Sequence, residues 1–166
     1  DIAVKFSLTG HLVFSTVHAN DAPSTVTRLL DIGIPPFLLG SSLNLVMAQR
    51  LVRVICEKCK EAYTPTEHEI ERLGMDADEI AGEEFFHGKG CSHCRYTGYK
   101  GRTAIHEILE VTQTVRTLIF DNAHQERIKE EAIKQGMTPL REAGIVKMKM
   151  GITTPYEVMR STVTDQ

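Results

Sequence analysis

Four cysteines carry the clearest chemistry in this sequence, and they fall in two pairs, Cys56-Glu57-Lys58-Cys59 and Cys91-Ser92-His93-Cys94. Two residues between thiolates let one tight turn present both sulfurs to a single metal, so two such knuckles supply the four soft ligands that tetrahedral Zn²⁺ takes. Residues 60–90 separate the pairs, a longer gap than zinc ribbons usually have. Lengthening a loop from about 15 to about 30 residues costs only roughly 0.6 kcal/mol. A structural zinc contributes on the order of 10 kcal/mol or more, so the gap sets loop size and leaves the site intact. A closed S₄ sphere has no position for a water, which makes the expected role structural, not catalytic. His93 lies inside the second knuckle and could stand in for a thiolate, but four cysteines already fill the sphere. Four reduced thiols without metal, and thiol redox chemistry, are the alternatives. Gly88, Gly90, Gly98 and Gly101 surround the second knuckle, where a chain winding round a metal is expected to need positive φ angles.

The second candidate is a pair of histidines. His11 and His18 bracket Leu12-Val13-Phe14-Ser15-Thr16-Val17, an apolar, β-rich run that predicts a strand buried on both faces, as in a parallel sheet. His18 would then leave the strand at the edge where open α/β sheets bind ligands. On the residues alone, both a structural and a catalytic histidine remain open.

The elements that must position these groups can be read from their punctuation. Asn20-Asp21 offers an N-cap, Pro23 fits the first turn, Val26, Leu29 and Leu30 make one helical stripe, and Gly33 can end it. Ile34-Pro35-Pro36 breaks the chain, and Leu43 to Ile55 reads as one or two strands. Thr64-Pro65-Thr66-Glu67 predicts a short helix capped by Thr64 and stopped by Gly74. Thr154-Pro155-Tyr156-Glu157 repeats the box and opens a terminal helix to about Thr162. Helical faces recur at Val111, Val115, Leu118 and Ile119, at Ile128, Ala132 and Ile133, and from Thr138-Pro139 to about Gly151. The β-branched content of Arg102 to Val111 favours a strand.

Composition bounds what such a chain can be. Its 166 residues, 42% hydrophobic and 25% charged, suit one domain or two small ones, and no apolar run approaches the length of a membrane span. The net charge of −3 gives no attraction for a polyanion. Arg95, Lys100 and Arg102 beside Tyr96 and Tyr99 could be taken for a nucleic-acid platform, but the acidic surroundings argue against it. Charge also divides the chain. Residues 1–55 carry 4 basic and 3 acidic side chains, residues 56–101 carry 6 and 10, and residues 102–166 carry 9 and 9. The expected organisation is an N-terminal α/β piece (1–55), a metal-clipped insert (56–101), and a return strand with a helical C-terminal piece (102–166). The N-terminus has neither a secretory signal nor a start Met, which is expected of a processed chain or one cut from something longer.

In order along the chain, these motifs resemble the secretion-type hexameric ATPases that drive type II secretion and type IV pilus assembly. The stretch Thr9 to Ala22 is similar to their histidine box. It is followed by Arg28-Leu29-Leu30-Asp31 with Gly33, by Pro36-Phe37-Leu38-Leu39, and by Ala48-Gln49-Arg50-Leu51-Val52-Arg53. The cysteine knuckles come next, then Gly101-Arg102-Thr103-Ala104-Ile105-His106-Glu107-Ile108-Leu109, and a tail with Gly144, Lys147, Gly151, Thr153 and Glu157. Each piece is moderately specific, and their shared order is much more so.

The resemblance implies an α/β fold: the C-terminal portion of a RecA-like P-loop ATPase domain, with a tetracysteine zinc insert and a C-terminal helical subdomain. It implies a cytoplasmic homo-hexamer, peripheral at the bacterial inner membrane, that uses ATP and Mg²⁺ to move an inner-membrane platform protein. Tetracysteine knuckles are typical of the extension and secretion branches. His18, with His11 the weaker candidate, would meet the γ-phosphate or its water. Arg50, Arg53 and Arg102 are candidate nucleotide-side or subunit contacts, each with a purely structural alternative. The sequence contains no Gly-x-x-x-x-Gly-Lys-Ser/Thr and no acid-tipped strand before the histidine box. The chain alone is therefore expected to be inactive. The competing expectation is a stand-alone zinc-stabilised protein-interaction module.

Overall fold

The structure is a computed structural model that describes residues 2–76, 80 and 82–162. Its elements run α1 (Ile2–Leu8), α2 (Ala22–Asp31), α3 (Pro36–Ser42), β1 (Leu45–Ile55), β2 (Lys60–Tyr63), α4 (Glu67–Leu73), β3 (Phe85–Gly88), a 3-10 turn at Ser92–Cys94, β4 (Tyr99–Glu110), α5 (Gln113–Phe120), α6 (Gln125–Lys134), α7 (Leu140–Lys149) and α8 (Pro155–Thr162). The class is mixed α/β, with two two-stranded sheets, β1 with β4 and β2 with β3. The chain forms two compact units, each discontinuous in sequence: Asp1–Ala48 with Glu107–Thr138, and Gln49–His106 with Pro139–Gln166. Residues 1–55 and 102–166 thus each contribute to both units, while 56–101 lies wholly in the second.

In the first unit, α2 forms where the punctuation places it. Asp21 is extended (φ −146, ψ 179), and its carboxylate accepts from the Ser24 N–H at 2.8 Å. The Ser24 hydroxyl in turn accepts from the Asp21 N–H at 3.0 Å, closing a reciprocal cap. Gly33 takes φ +94 just beyond the helix. Val26 from α2, Leu39 from α3, Val46 from β1, Leu109 and Val111 from and just after β4, Val115 and Ile119 from α5, and Ile128 from α6 bury one apolar core.

The expected strand at Leu12–Val17 does not form. Residues 11–19 have no regular secondary structure, and Leu12 and Phe14 are 80% and 87% exposed. A strand exists only through its neighbours' N–H and C=O groups, and among the described residues no strand pairs with this run.

In the second unit, α4 starts two residues later than expected. Both Thr64 and Thr66 have a Glu three residues on, and the box that closes is the later one. The Glu69 N–H donates to Thr66 Oγ1, and Glu69 Oε2 accepts from the Thr66 N–H at 2.9 Å. Pro65 is then the buried residue before the cap and, with Ile70, lines a cleft of about 360 Å³. Gly74 ends the helix in the left-handed region, as expected. Leu73, Met75, Phe85, Met148, Val158 and Met159 make this unit's smaller core.

Candidate metal centre

The four cysteines lie at the junctions between strands. Cys56 follows the last residue of β1, Cys59 precedes β2, Cys91 follows β3, and Cys94 leads into β4. Strands β2 and β3 pair antiparallel, Tyr63 with Phe85 at the far end and Lys60 with Gly88 at the near one. The long gap between knuckles is therefore a closed hairpin with its base at the cysteines. At that base the Lys89 N–H donates to the Cys59 carbonyl at 3.0 Å. On the other side the Cys56 N–H donates to the Gly98 carbonyl at 2.9 Å.

The result brings all four Sγ atoms within 4.8 Å of one another. Three separations are 3.9 Å (Cys56 to Cys91), 3.8 Å (Cys59 to Cys94) and 3.8 Å (Cys91 to Cys94). A tetrahedron with Zn–S bonds of about 2.3 Å has edges of about 3.8 Å, so these three separations are compatible with a zinc site. Backbone N–H groups already point at the sulfurs: Gly90 to Cys59 at 3.3 Å, Cys91 to Cys94 at 3.2 Å and Gly98 to Cys94 at 3.3 Å. Such donors favour thiolate and fix ligand orientation. Burial pushes the Cys94 thiol up, but the Cys91 and Gly98 N–H groups and the neighbouring thiols outweigh it and bring it down to about 6. Burial and the surrounding thiols instead drive Cys59 up to about 12 against its one N–H donor. A divalent cation would supply the positive charge that full deprotonation of the four thiols needs.

The backbone at the knuckles departs from expectation in one respect. Gly90, Gly98 and Gly101 take positive φ, but Gly88 does not. Gly88 is required for space: a Cβ there would lie 2.0 Å from the Gly98 carbonyl oxygen. The left-handed positions that close the second knuckle are instead Arg95 (φ 54) and Tyr96 (φ 61). The Tyr96 N–H donates to the Cys91 carbonyl at 2.8 Å. His93 is exposed and outside the thiol cluster.

A polar clasp that the sequence reading did not identify lies in the same unit. The Glu157 side chain is fully buried. One oxygen accepts from Arg53 Nη2 at 2.7 Å and Arg160 Nε at 3.0 Å, the other from the Arg53 N–H at 2.9 Å and Arg160 Nη2 at 3.0 Å. Burial alone would raise this carboxyl, but the donors of Arg53 and Arg160 dominate and hold it at about 2. The Arg53 guanidinium also stacks 4.0 Å from the Tyr99 ring centroid, and the Tyr99 hydroxyl shares a hydrogen bond of 2.8 Å with Thr154. Thr153 Oγ1 donates to the Arg53 carbonyl at 2.8 Å, and the Ile55 N–H donates to Ile152 O at 2.9 Å. The stretch before α8 is thus fastened along the end of β1 that delivers Cys56.

The other predicted residues are divided between the two units. His11 and His18 belong to the first unit and are exposed. His11 Nδ1 shares a 2.9 Å hydrogen bond with Thr9 Oγ1, and its ring stands edge-on to Phe6. Arg50, Arg53 and Arg102 belong to the second unit, with Arg102 exposed and Arg53 engaged by Glu157. A second buried carboxylate also went unread. Glu107 is 1% exposed, and its Oε1 accepts from the Ala22 N–H at 2.7 Å. Its signal was available, because alternation on β4 puts Glu107 on the inward face with Ile105 and Leu109.

Comparison with known proteins adds to this geometry. The family described as Type II/IV secretion system protein matches residues 1–160. A type IV pilus assembly ATPase PilB from Myxococcus xanthus is 44% identical over 100% of this chain and 30% of its own length. The PilB of Thermus thermophilus is 45% identical over 98% of this chain and 18% of its own. The type II secretion system protein E of Dickeya dadantii is 44% identical over 97% of this chain and 31% of its own. The chain therefore spans less than a third of the length of each of these relatives.

Proposed function

Because the chain belongs to the type II/IV secretion system protein family, we propose that it is the C-terminal part of a motor ATPase that couples ATP hydrolysis to type IV pilus assembly or type II secretion. The observation that carries this is the 44–45% identity to pilus assembly and secretion proteins along 97–100% of the chain. That match runs through the histidine stretch, the cysteine knuckles and the tail together. The same reading makes the parent a homo-hexamer with a RecA-like core, at the cytoplasmic face of the inner membrane, acting on a platform protein there. Among the described residues no helix is long and apolar enough to cross a membrane.

In this reading residues 11–19 extend along further sheet of the parent, which supplies the edge that Leu12 and Phe14 need. The His18 imidazole reaches the transferred phosphate or the attacking water and passes the presence or loss of that contact to α2. Cys56, Cys59, Cys91 and Cys94 hold one zinc, which neutralises their charge and closes the strand junctions. With all four positions taken by sulfur it has no part in hydrolysis. A P-loop from elsewhere in the parent binds Mg-ATP.

The test is turnover. A longer protein carrying a P-loop ahead of these residues hydrolyses ATP, the isolated chain does not, and His18→Ala in the longer protein lowers kcat at least tenfold with its thermal midpoint unchanged. Ordinary ATP turnover by the isolated chain would refute the assignment, and undiminished turnover in His18→Ala would remove His18 from it.

A further inference from the structure

Glu107 sits where the histidine-bearing segment joins the folded body. The first turn of a helix leaves its leading N–H groups without intrahelical partners, and at α2 two carboxylates share that work. Asp21 takes the Ser24 N–H from outside and is braced by Lys129, whose Nζ lies 3.3 Å from Oδ2. Glu107 takes the Ala22 N–H from β4, at 2.7 Å and 1% exposure, across 85 positions of sequence. A buried carboxylate is costly unless its charge is met by donors, and the Ala22 N–H is one of the donors that Glu107 has, tying Ala22 to β4. Ala22 and Val26 are themselves fully buried. Immediately upstream, residues 11–19 have no ladder of their own. From Ala22 to His18 the chain can span at most about 14 Å, so the place where Glu107 pins the backbone bounds where the imidazole can go.

We infer that Glu107 is a positioning residue for His18, anchoring the N-terminus of α2 so that the histidine is held at a fixed reach. The inference rests on the proposed role of His18 in ATP turnover. Its perturbation is graded. Glu107→Gln keeps a neutral acceptor and loses the charge that strengthens the bond, while Glu107→Leu removes the acceptor altogether.

The experiment uses the longer, P-loop-containing protein and measures ATP kinetics alongside amide hydrogen exchange at residues 22–25. Exchange at Ala22 is expected to accelerate about fivefold in Glu107→Gln and at least tenfold in Glu107→Leu. The kcat value falls in the same order while KM for ATP stays within about twofold, a split that general loss of structure would not give. Should Glu107→Leu not fold, Glu107→Gln still decides, since faster Ala22 exchange with unchanged kcat overturns the inference. Wild-type kcat in Glu107→Leu, with His18→Ala inactive, overturns the role of Glu107 alone. Wild-type kcat in His18→Ala sinks the reading beneath it and this inference together.

Discussion

Replacing Glu157 by Gln perturbs one carboxylate that four donors hold in place. Its ordinary value of 4.5 falls to about 2 in the fold. At 1.36 kcal/mol for each unit, that difference is worth about 3 kcal/mol at neutral pH. In Glu157→Gln, Arg53 and Arg160 face a neutral amide whose own NH₂ group competes with theirs for space.

The direction with pH follows from linkage. A carboxyl lowered on folding contributes all of its stability above its unfolded value, and loses it as pH falls through the folded one. The gap between wild type and Glu157→Gln should therefore be about 3 kcal/mol at pH 7, begin to shrink below about pH 4.5, and reach roughly half near pH 3. Urea unfolding at matched pH measures it. Adding Arg53→Met to Glu157→Leu should recover part of the loss of Glu157→Leu, since the stranded guanidinium is then gone. A gap under about 0.5 kcal/mol at pH 7, or one that stays level from pH 7 to pH 3, refutes the reasoning.

Gly88→Ala places a methyl carbon 2.0 Å from a backbone oxygen that cannot swing aside, and should destabilise the second unit by about 2 kcal/mol or more in thermal or urea unfolding. An alanine variant as stable as wild type would show that the two strands do not approach this closely. Purified protein should carry one zinc per chain by metal analysis, and a folded, zinc-free protein with four titratable thiols would contradict that.

Where a residue's role is settled by its immediate neighbours, the sequence foretold it. Asp21 and Pro23 start α2, Thr154 caps α8, Gly74 ends α4, and the two-residue cysteine spacing makes knuckles, because each depends on contacts within a turn or so. Thr66 displaced Thr64 at α4 because both offered the same local pattern and only packing of Pro65 and Ile70 chooses between them. Leu12–Val17 could not be placed from sequence, since a strand is defined by a partner elsewhere. Alternation on β4 could have shown that Glu107 is buried, but not its partner: Glu107 and Glu157 meet donors 85 and 104 positions away. Arg53 shows the converse. On sequence it is a candidate nucleotide-side or subunit contact with a structural alternative, and the partner it has here, Glu157, is one that no local pattern announces.

The two units differ in how they are held together, and that difference makes the metal's task specific. Among the described residues each unit buries twelve apolar side chains, but in the first, from Ala22 to Met137, all twelve form one cluster, whereas in the second only six do, with Val52, Ile55, Cys56, Cys94, Ile105 and Leu140 outside it. The second unit also has a clasp around Glu157 and four thiols at its strand junctions, where a bound zinc would fasten the strands that carry Val52, Ile55 and Ile105. Removing the ion leaves thiolates facing one another at under 4 Å, and the base of the β2–β3 hairpin loses its closure. A chelator should therefore abolish hydrogen-exchange protection in residues 49–73 and 85–106 well before it affects 22–42 and 107–134. Loss of protection in both units together, at the same chelator concentration, would mean that zinc stabilises the whole chain and that the smaller core suffices for its own unit.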